Sequence, residues 1–99
     1  MAKGYLVGTI TVTNPSAYKP YMENTSRLVE KYGGKYLVRG GDLTVAEGEI
    51  EYDRVVVIEF DSMDDLLSFY NDPEYAEVRK IRQENSNGVI MQVTGVESR

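Results

Sequence analysis

Apolar side chains recur along the chain with two different spacings, and the change in spacing marks out the secondary structure. The longest β-branched run is Arg54–Phe60, where apolar residues at consecutive positions predict a strand buried on both faces. Residues 4–13 and 35–39 predict two further strands, in which alternate side chains share one face of the sheet. Residues 89–96 predict a fourth strand, after a turn over 85–88.

The segment between the second and third strands is acidic. Residues 42–53 carry five acidic side chains and no basic one, with Gly48 as the natural turn residue. This charge run predicts a solvated hairpin tip.

Two helical segments separate the strands. In the first, Asn14 is a capping residue, Pro15 occupies the first helical position, and Gly33 and Gly34 mark the end. Apolar and aromatic residues at helical spacing lie between these signals.

The second helical segment begins at Ser62, which can form a weak capping box with Asp65. Asn71-Asp72-Pro73 should break it, because proline is not tolerated deep inside a straight helix. We expect Asp72 to cap a second helical stretch over residues 74–84.

The order β-α-β-β-α-β is that of the ferredoxin-like fold, an α+β architecture, in one domain over residues 1–99. Right-handed crossovers place both helices on one face of a four-stranded antiparallel sheet, with the first and third strands in the centre. Alternation assigns one set of residues to the helix-covered face: Leu6, Ile10, Val12, Tyr36, Val38, Val56, Ile58 and Phe60.

The opposite face of the sheet would expose a contiguous apolar patch formed by Tyr5, Val7, Leu37, Val55 and Val57. Because monomers rarely expose such a patch, we predict a homodimer packed sheet to sheet about a twofold axis. Two sets in the fourth strand compete for the covered face: Val89, Met91 and Val93, or Ile90, Gln92 and Thr94.

Composition excludes several classes of function. The net charge of −5 argues against a nucleic-acid partner, because phosphates require a basic surface. No apolar stretch is long enough to span a membrane and no signal-peptide core is present, so we expect a cytoplasmic protein. Cysteine and histidine are absent, which removes thiol nucleophiles and the commonest general base. The acidic segment lacks calcium-loop spacing, so we expect neither a metal nor a cofactor.

Several segments resemble, in the same order, the bacterial family called domain of unknown function 1330 (DUF1330). They read YGGKYLVRGG at 32–41, RVVVIEF at 54–60 and FYNDPEY at 69–75, followed by Arg82-Gln83. The resemblance covers nearly the whole chain and implies the dimeric α/β-barrel superfamily, in which two ferredoxin-like sheets close face to face. Wider relatives include cofactor-free monooxygenases, lactone isomerases, haem-degrading enzymes and ligand-sensing domains. The lack of histidine excludes a haem held by a histidine ligand.

Two hypotheses for the function follow. In the first, the protein binds or converts a small, partly apolar molecule in a pocket between sheet and helices, as a cofactor-free oxygenase or isomerase would. In the second, it is a non-catalytic dimer with a ligand-sensing or accessory role. An enclosed cavity with convergent polar groups would favour the first hypothesis, and a fully packed interior the second. The candidate site residues are Tyr18, Arg39, Glu59, Tyr70, Tyr75 and Arg82.

Each candidate has a functional and a structural interpretation. Glu59 could act as a general base if burial raises its pKa, and Arg39 or Arg82 could stabilise an enolate or a carboxylate. Alternatively, the tyrosines pack in the core with hydroxyls at its rim, and Arg82 interacts with a helix dipole. A hairpin centred near Glu49 would place Arg39 across from Glu59, away from the helices. That pair would either anchor a ligand or fix the strand register.

Overall fold

The computed structural model describes residues 2–97, which form four strands and three helices. In chain order these are β1 (Gly4–Val12), α1 (Pro15–Lys31), β2 (Lys35–Arg39), β3 (Arg54–Phe60), α2 (Met63–Tyr70), α3 (Pro73–Asn85) and β4 (Ser86–Thr94). The strands form one antiparallel sheet in the order β2-β3-β1-β4. The predicted ferredoxin-like α+β fold, with β1 and β3 as the central pair, is confirmed.

Side chains cap the helices where the sequence predicted them. The Asn14 side chain accepts a hydrogen bond from the backbone N–H of Ala17 at 3.3 Å, and Pro15 opens α1. The helix ends at Lys31, and Gly33 turns the chain away two residues later with a φ of 73°, which is readily adopted only by glycine. At the start of α2, the Ser62 hydroxyl accepts from the backbone N–H of Asp65 at 3.1 Å. These local interactions fix where each helix begins and ends.

The second helical segment is broken at Asp72, as predicted, into α2 and α3. The Asp72 carboxylate caps α3 by accepting from the backbone N–H of Glu74 at 2.7 Å. It also accepts from the Tyr32 hydroxyl and from Lys31 Nζ, which lie at the end of α1. Asp72 therefore joins the start of α3 to the end of α1. No helix among residues 2–97 is long and apolar enough to cross a membrane.

The predicted turn at 85–88 is wrong, because β4 begins at Ser86, directly after α3. Its first residues extend the pairing with β1, with Ser86 opposite Val12 and Gly88 opposite Ile10. A Cβ atom at residue 88 would lie 2.9 Å from Ile10 Cα, so the glycine allows a close approach of two strands rather than a turn. The Asn85 carbonyl closes the junction by accepting from the backbone N–H groups of both Thr13 and Asn14.

One face of the sheet is covered by the helices. The core cluster comprises Leu6, Leu28, Val29, Ile58, Phe60, Leu66, Phe69, Tyr75 and Val78. Ile90 pairs with Gly8 and packs against the core, so it lies on the covered face. This resolves which of the two sets of β4 residues faces the helices. The other face, called the open face here, carries the alternate set in β4: Val89, Met91 and Val93 are 46%, 39% and 46% exposed.

A β-bulge in β2 changes which way its last residues point. Tyr36 pairs with Ile58, but Val38 pairs with Val57 and Arg39 with Val56, so Leu37 is an extra residue in the ladder. The bulge moves Val38 to the open face and Arg39 to the covered face. Both assignments reverse the sequence prediction, because one extra residue inverts the alternation of every residue after it.

Candidate functional site

A recess lies on the covered face of the sheet, beneath α1. Its floor is the sheet row in which Gly8 is flanked by Val56 and Ile90, and the missing side chain at Gly8 lowers the floor. The enclosed cavity has a volume of about 30 Å³, within a recess of about 450 Å³ that includes its opening. The enclosed part has room for one or two water molecules. A larger ligand must therefore enter from the opening.

Tyrosines form the wall of the recess on the helix side. The rings of Tyr18 and Tyr21 are 5.2 Å apart, and the hydroxyls of Tyr21 and Tyr75 are 2.9 Å apart. Burial, followed by the proximity of Tyr21, raises the pKa of Tyr18 to about 12, and burial also raises the pKa of Tyr75. At neutral pH these phenols stay protonated, so they can donate hydrogen bonds but are poor bases.

Three arginines surround these tyrosines. Arg39 and Arg54 line the recess, and the guanidinium of Arg82 lies 5.8 Å from the ring centre of Tyr21. Among residues 2–97, no Asp or Glu oxygen lies within 4.0 Å of any of the three guanidinium groups. The Nε atoms of Arg54 and Arg82 are buried without a hydrogen-bond partner, as is Thr25 Oγ1. The recess is therefore positively charged, and its polar atoms are incompletely satisfied.

Such an arrangement favours an anion. Arg82 is buried and Arg54 half-buried, whereas Arg39 is exposed at the opening, and a buried charge without a partner is unfavourable. A guanidinium also presents a planar fork of donors that matches a carboxylate. The tyrosine rings and the apolar floor would contact the uncharged part of the same molecule.

Arg39 and Glu59 do not form the predicted pair. Arg39 Nη2 donates to Ser26 Oγ at 2.6 Å, and its guanidinium lies 4.4 Å from the ring centre of Tyr36. The bulge at Leu37 makes Arg39 point into the recess. Before the bulge, Lys35 is the residue of β2 that pairs with Glu59. The predicted register, based on a regular hairpin, was wrong.

Glu59 lies on the open face with partners of its own. It accepts hydrogen bonds from the Tyr5 hydroxyl at 3.0 Å and from Lys3 Nζ at 3.2 Å. These two bonds, that of Tyr5 first, lower the pKa of Glu59, whereas a general base requires a raised one. The condition for Glu59 to act as a general base is therefore not met, and Glu59 is separated by the sheet from the recess.

The other predicted residues lie in or beside the recess. Tyr18 and Tyr75 line it, while Arg82 stands behind Tyr21. Tyr70 is one layer further out, where its ring packs 5.7 Å from that of Tyr75 and beneath the Arg79 guanidinium. Tyr70 therefore supports Tyr75 rather than lining the recess.

Two recess residues, Arg54 and Tyr21, were not among the predicted site residues, although the sequence pattern around them indicates their positions. Arg54 has the same alternation as Val56 and Ile58, which were placed on the covered face. Tyr21 follows Tyr18 by three residues, so the two share one face of α1. Within residues 2–97, no three acidic side chains cluster closely enough to hold a metal ion.

Comparison with known proteins places the chain in a family. The family model described as "Domain of unknown function (DUF1330)" matches residues 3–96. A comparison with curated proteins gave no match.

Solved structures share the fold at low sequence identity. A protein of unknown function from Rhodopseudomonas palustris has 20% identity and a TM-score of 0.75, over 98% of this chain and 85% of that one. SnoaB, a cofactor-independent oxygenase from Streptomyces nogalater, has 13% identity and a TM-score of 0.62, over 99% and 97%. A dimeric ferredoxin-like protein of unknown function from Bacteroides fragilis has 14% identity and a TM-score of 0.61, over 92% and 94%.

Proposed function

Because the chain belongs to the DUF1330 family, whose function is open, we propose a function from the recess itself: the protein binds a small, partly apolar organic anion there. The observation that carries this proposal is the set of three arginines around a tyrosine wall, with no carboxylate within 4.0 Å of them in residues 2–97. An organic anion would supply the missing negative charge and bury its apolar part against the rings.

The proposed binding unit is a homodimer. Its support is the open face, where Val7, Val57 and Met91 lie side by side across three strands with no helix over them. A second copy packed on this face would remove the apolar surface from water. The dimeric protein from Bacteroides fragilis shares this fold.

Conversion of the bound molecule is the finer part of the proposal. SnoaB has the same fold and acts as an oxygenase without a cofactor. Positive charge from Arg39, Arg54 and Arg82 would stabilise an enolate of the substrate, the form that reacts with oxygen. The recess supplies no carboxylate base, so the substrate would have to be acidic enough to ionise readily. Without turnover, the protein acts as a non-catalytic ligand-binding dimer.

Matched ligands test the binding proposal. We expect benzoate to raise the melting temperature of the protein and benzamide, which has the same ring without the charge, to raise it much less. Arg39→Gln should reduce the benzoate effect, whereas Lys80→Gln, which removes a charge from an exposed side chain of α3, should leave it unchanged. Equal stabilisation by benzoate and benzamide, or none by either, would contradict anion binding.

Oxygen uptake tests the conversion. The probe is 1,4-dihydroxy-2-naphthoate, an aromatic anion that ionises readily and reacts with oxygen. An oxygen electrode should record uptake above the uncatalysed rate with the wild-type protein, and a lower rate with Arg39→Gln. Binding without faster uptake would support the non-catalytic alternative.

A further inference from the structure

Two cavities adjoin beneath α1 and share one wall. The inner cavity is the enclosed part of the recess, and the outer one, of about 180 Å³, is bounded also by Val12 and Pro15. Tyr18, Met22 and Arg54 line both cavities. The outer cavity therefore has room for an apolar group, whereas the inner cavity is too small for one.

The Arg54 side chain at this junction is held only weakly. Its Nη2 atom donates to the Met22 sulfur at 3.8 Å, and thioether sulfur is a weak acceptor. Its Nε atom is buried without a partner, and no carboxylate of residues 2–97 pairs with it. An incoming anion would replace a weak contact with a charge-assisted hydrogen bond.

Gly40 leaves the space that the Arg54 guanidinium occupies. A Cβ atom on residue 40 would lie 2.5 Å from Arg54 Cζ, so any other residue would displace this group. Gly40 is itself fixed by a φ of 65° and by its N–H, which donates to the Val55 carbonyl at 3.0 Å. The backbone cannot move aside without losing this bond.

We propose that Arg54 binds the anionic group of the ligand, that Gly40 positions the Arg54 guanidinium, and that the apolar part of the ligand lies in the outer cavity against Val12, Pro15 and Tyr18. This inference rests on the proposed function and narrows its ligand class. The ligand is a monocarboxylate with an extended apolar tail, because the inner cavity is too small for the tail.

The ligand class is tested by calorimetry with acetate, hexanoate, octanoate and octanamide. The affinity should rise by about three- to fourfold for each methylene group that is buried, until the tail fills the outer cavity. Octanoate should bind at least tenfold more tightly than octanamide, which has the same length without the charge. Equal affinities for acetate and octanoate would overturn the assignment of the outer cavity.

The role of Gly40 is tested with a matched pair of variants. Gly40→Ala should weaken octanoate binding at least tenfold and leave octanamide binding unchanged, because only the position of the charge is disturbed. Gly48→Ala is the control, since Gly48 also has a positive φ, of 83°, but a Cβ atom there has no neighbour within 4 Å. Equal octanoate affinities of the two variants would overturn the positioning role.

Arg54→Met completes the test and separates the possible failures. It should lose the preference for octanoate over octanamide, and adding Gly40→Ala to it should cause no further loss of binding. If Gly40→Ala does not fold, Arg54→Met alone tests whether Arg54 binds the anionic group. An unchanged octanoate affinity in Arg54→Met would overturn the inference while anion binding stands. If the wild-type protein binds neither benzoate nor octanoate, the proposed function is overturned as well.

Discussion

Arg82 carries a charge into the helix layer at a cost to stability. It is 9% exposed, its Nε atom has no partner, and the groups around it are the phenols of Tyr21 and Tyr75 rather than carboxylates. A buried charge held in this way is unfavourable compared with an apolar side chain of similar volume. We interpret Arg82 as a residue that adds positive potential to the recess.

Replacing Arg82 with methionine should separate stability from binding. Arg82→Met keeps the length of the side chain and removes the buried charge, so the melting temperature without ligand should stay the same or rise. Benzoate binding should weaken several-fold, because the recess loses positive potential. Thermal unfolding with and without benzoate measures both effects. A large fall in the melting temperature would show that Arg82 is chiefly a structural residue.

At the scale of elements, short-range signals in the sequence were sufficient to predict the helix caps, the helix break and the central strand. The cap at Asn14, the break at Asp72 and the apolar run of β3 each act within a few residues, so the sequence predicted them correctly. The bulge at Leu37 is a feature of the pairing between β2 and β3, and the alternation of side chains within β2 does not indicate it. The bulge turns Arg39 to the covered face, and the register places Lys35 rather than Arg39 opposite Glu59. The predicted Arg39–Glu59 pair is therefore wrong, although the fold prediction is confirmed.

The cap of α3 gives a prediction for Asp72. Asp72→Ala removes the hydrogen bond to the backbone N–H of Glu74 and the contacts with Tyr32 and Lys31. Loss of a helix cap in a domain of this size should lower the melting temperature by about 4–8 °C. Differential scanning calorimetry measures the change. Ser68→Ala is the control: Ser68 lies inside α2 and caps neither end of it, so the melting temperature should stay nearly unchanged.

The same carboxylate should make stability depend on acid pH. Hydrogen bonds from Tyr32 first, then from the Glu74 backbone and Lys31, lower the pKa of Asp72 from 3.8 to about 2. Because the folded pKa is below the unfolded one, this stabilisation is present above pH 3.8 and is lost as the pH falls through about 2. The difference in unfolding free energy between wild type and Asp72→Asn should therefore shrink between pH 5 and pH 2. A constant difference over this range would contradict the lowered pKa.

At the scale of the whole molecule, the exposed valines of the open face predict dimerisation. Light scattering should return about twice the chain mass of 11.2 kDa. Val57→Asp, in the centre of the open face, should raise the dimer dissociation constant by two or more orders of magnitude, because it buries an unpaired charge in both copies. Leu67→Asp, on the exposed side of α2, is the control and should leave the dimer intact. A stable monomer of wild type at micromolar concentration would contradict the prediction.

The direct junction of α3 with β4 makes the chain length at this point critical. Asn85 ends the helix, its carbonyl is bonded to Thr13 and Asn14, and Ser86 already pairs with Val12. One inserted residue would shift β4 by one position along β1 and turn it over, placing Met91 inward and Ile90 outward. Two inserted residues would restore the orientation, with the extra chain looped out. Residues 41–52 belong to no helix or strand, so natural and engineered length variation should be tolerated there and excluded between 85 and 86.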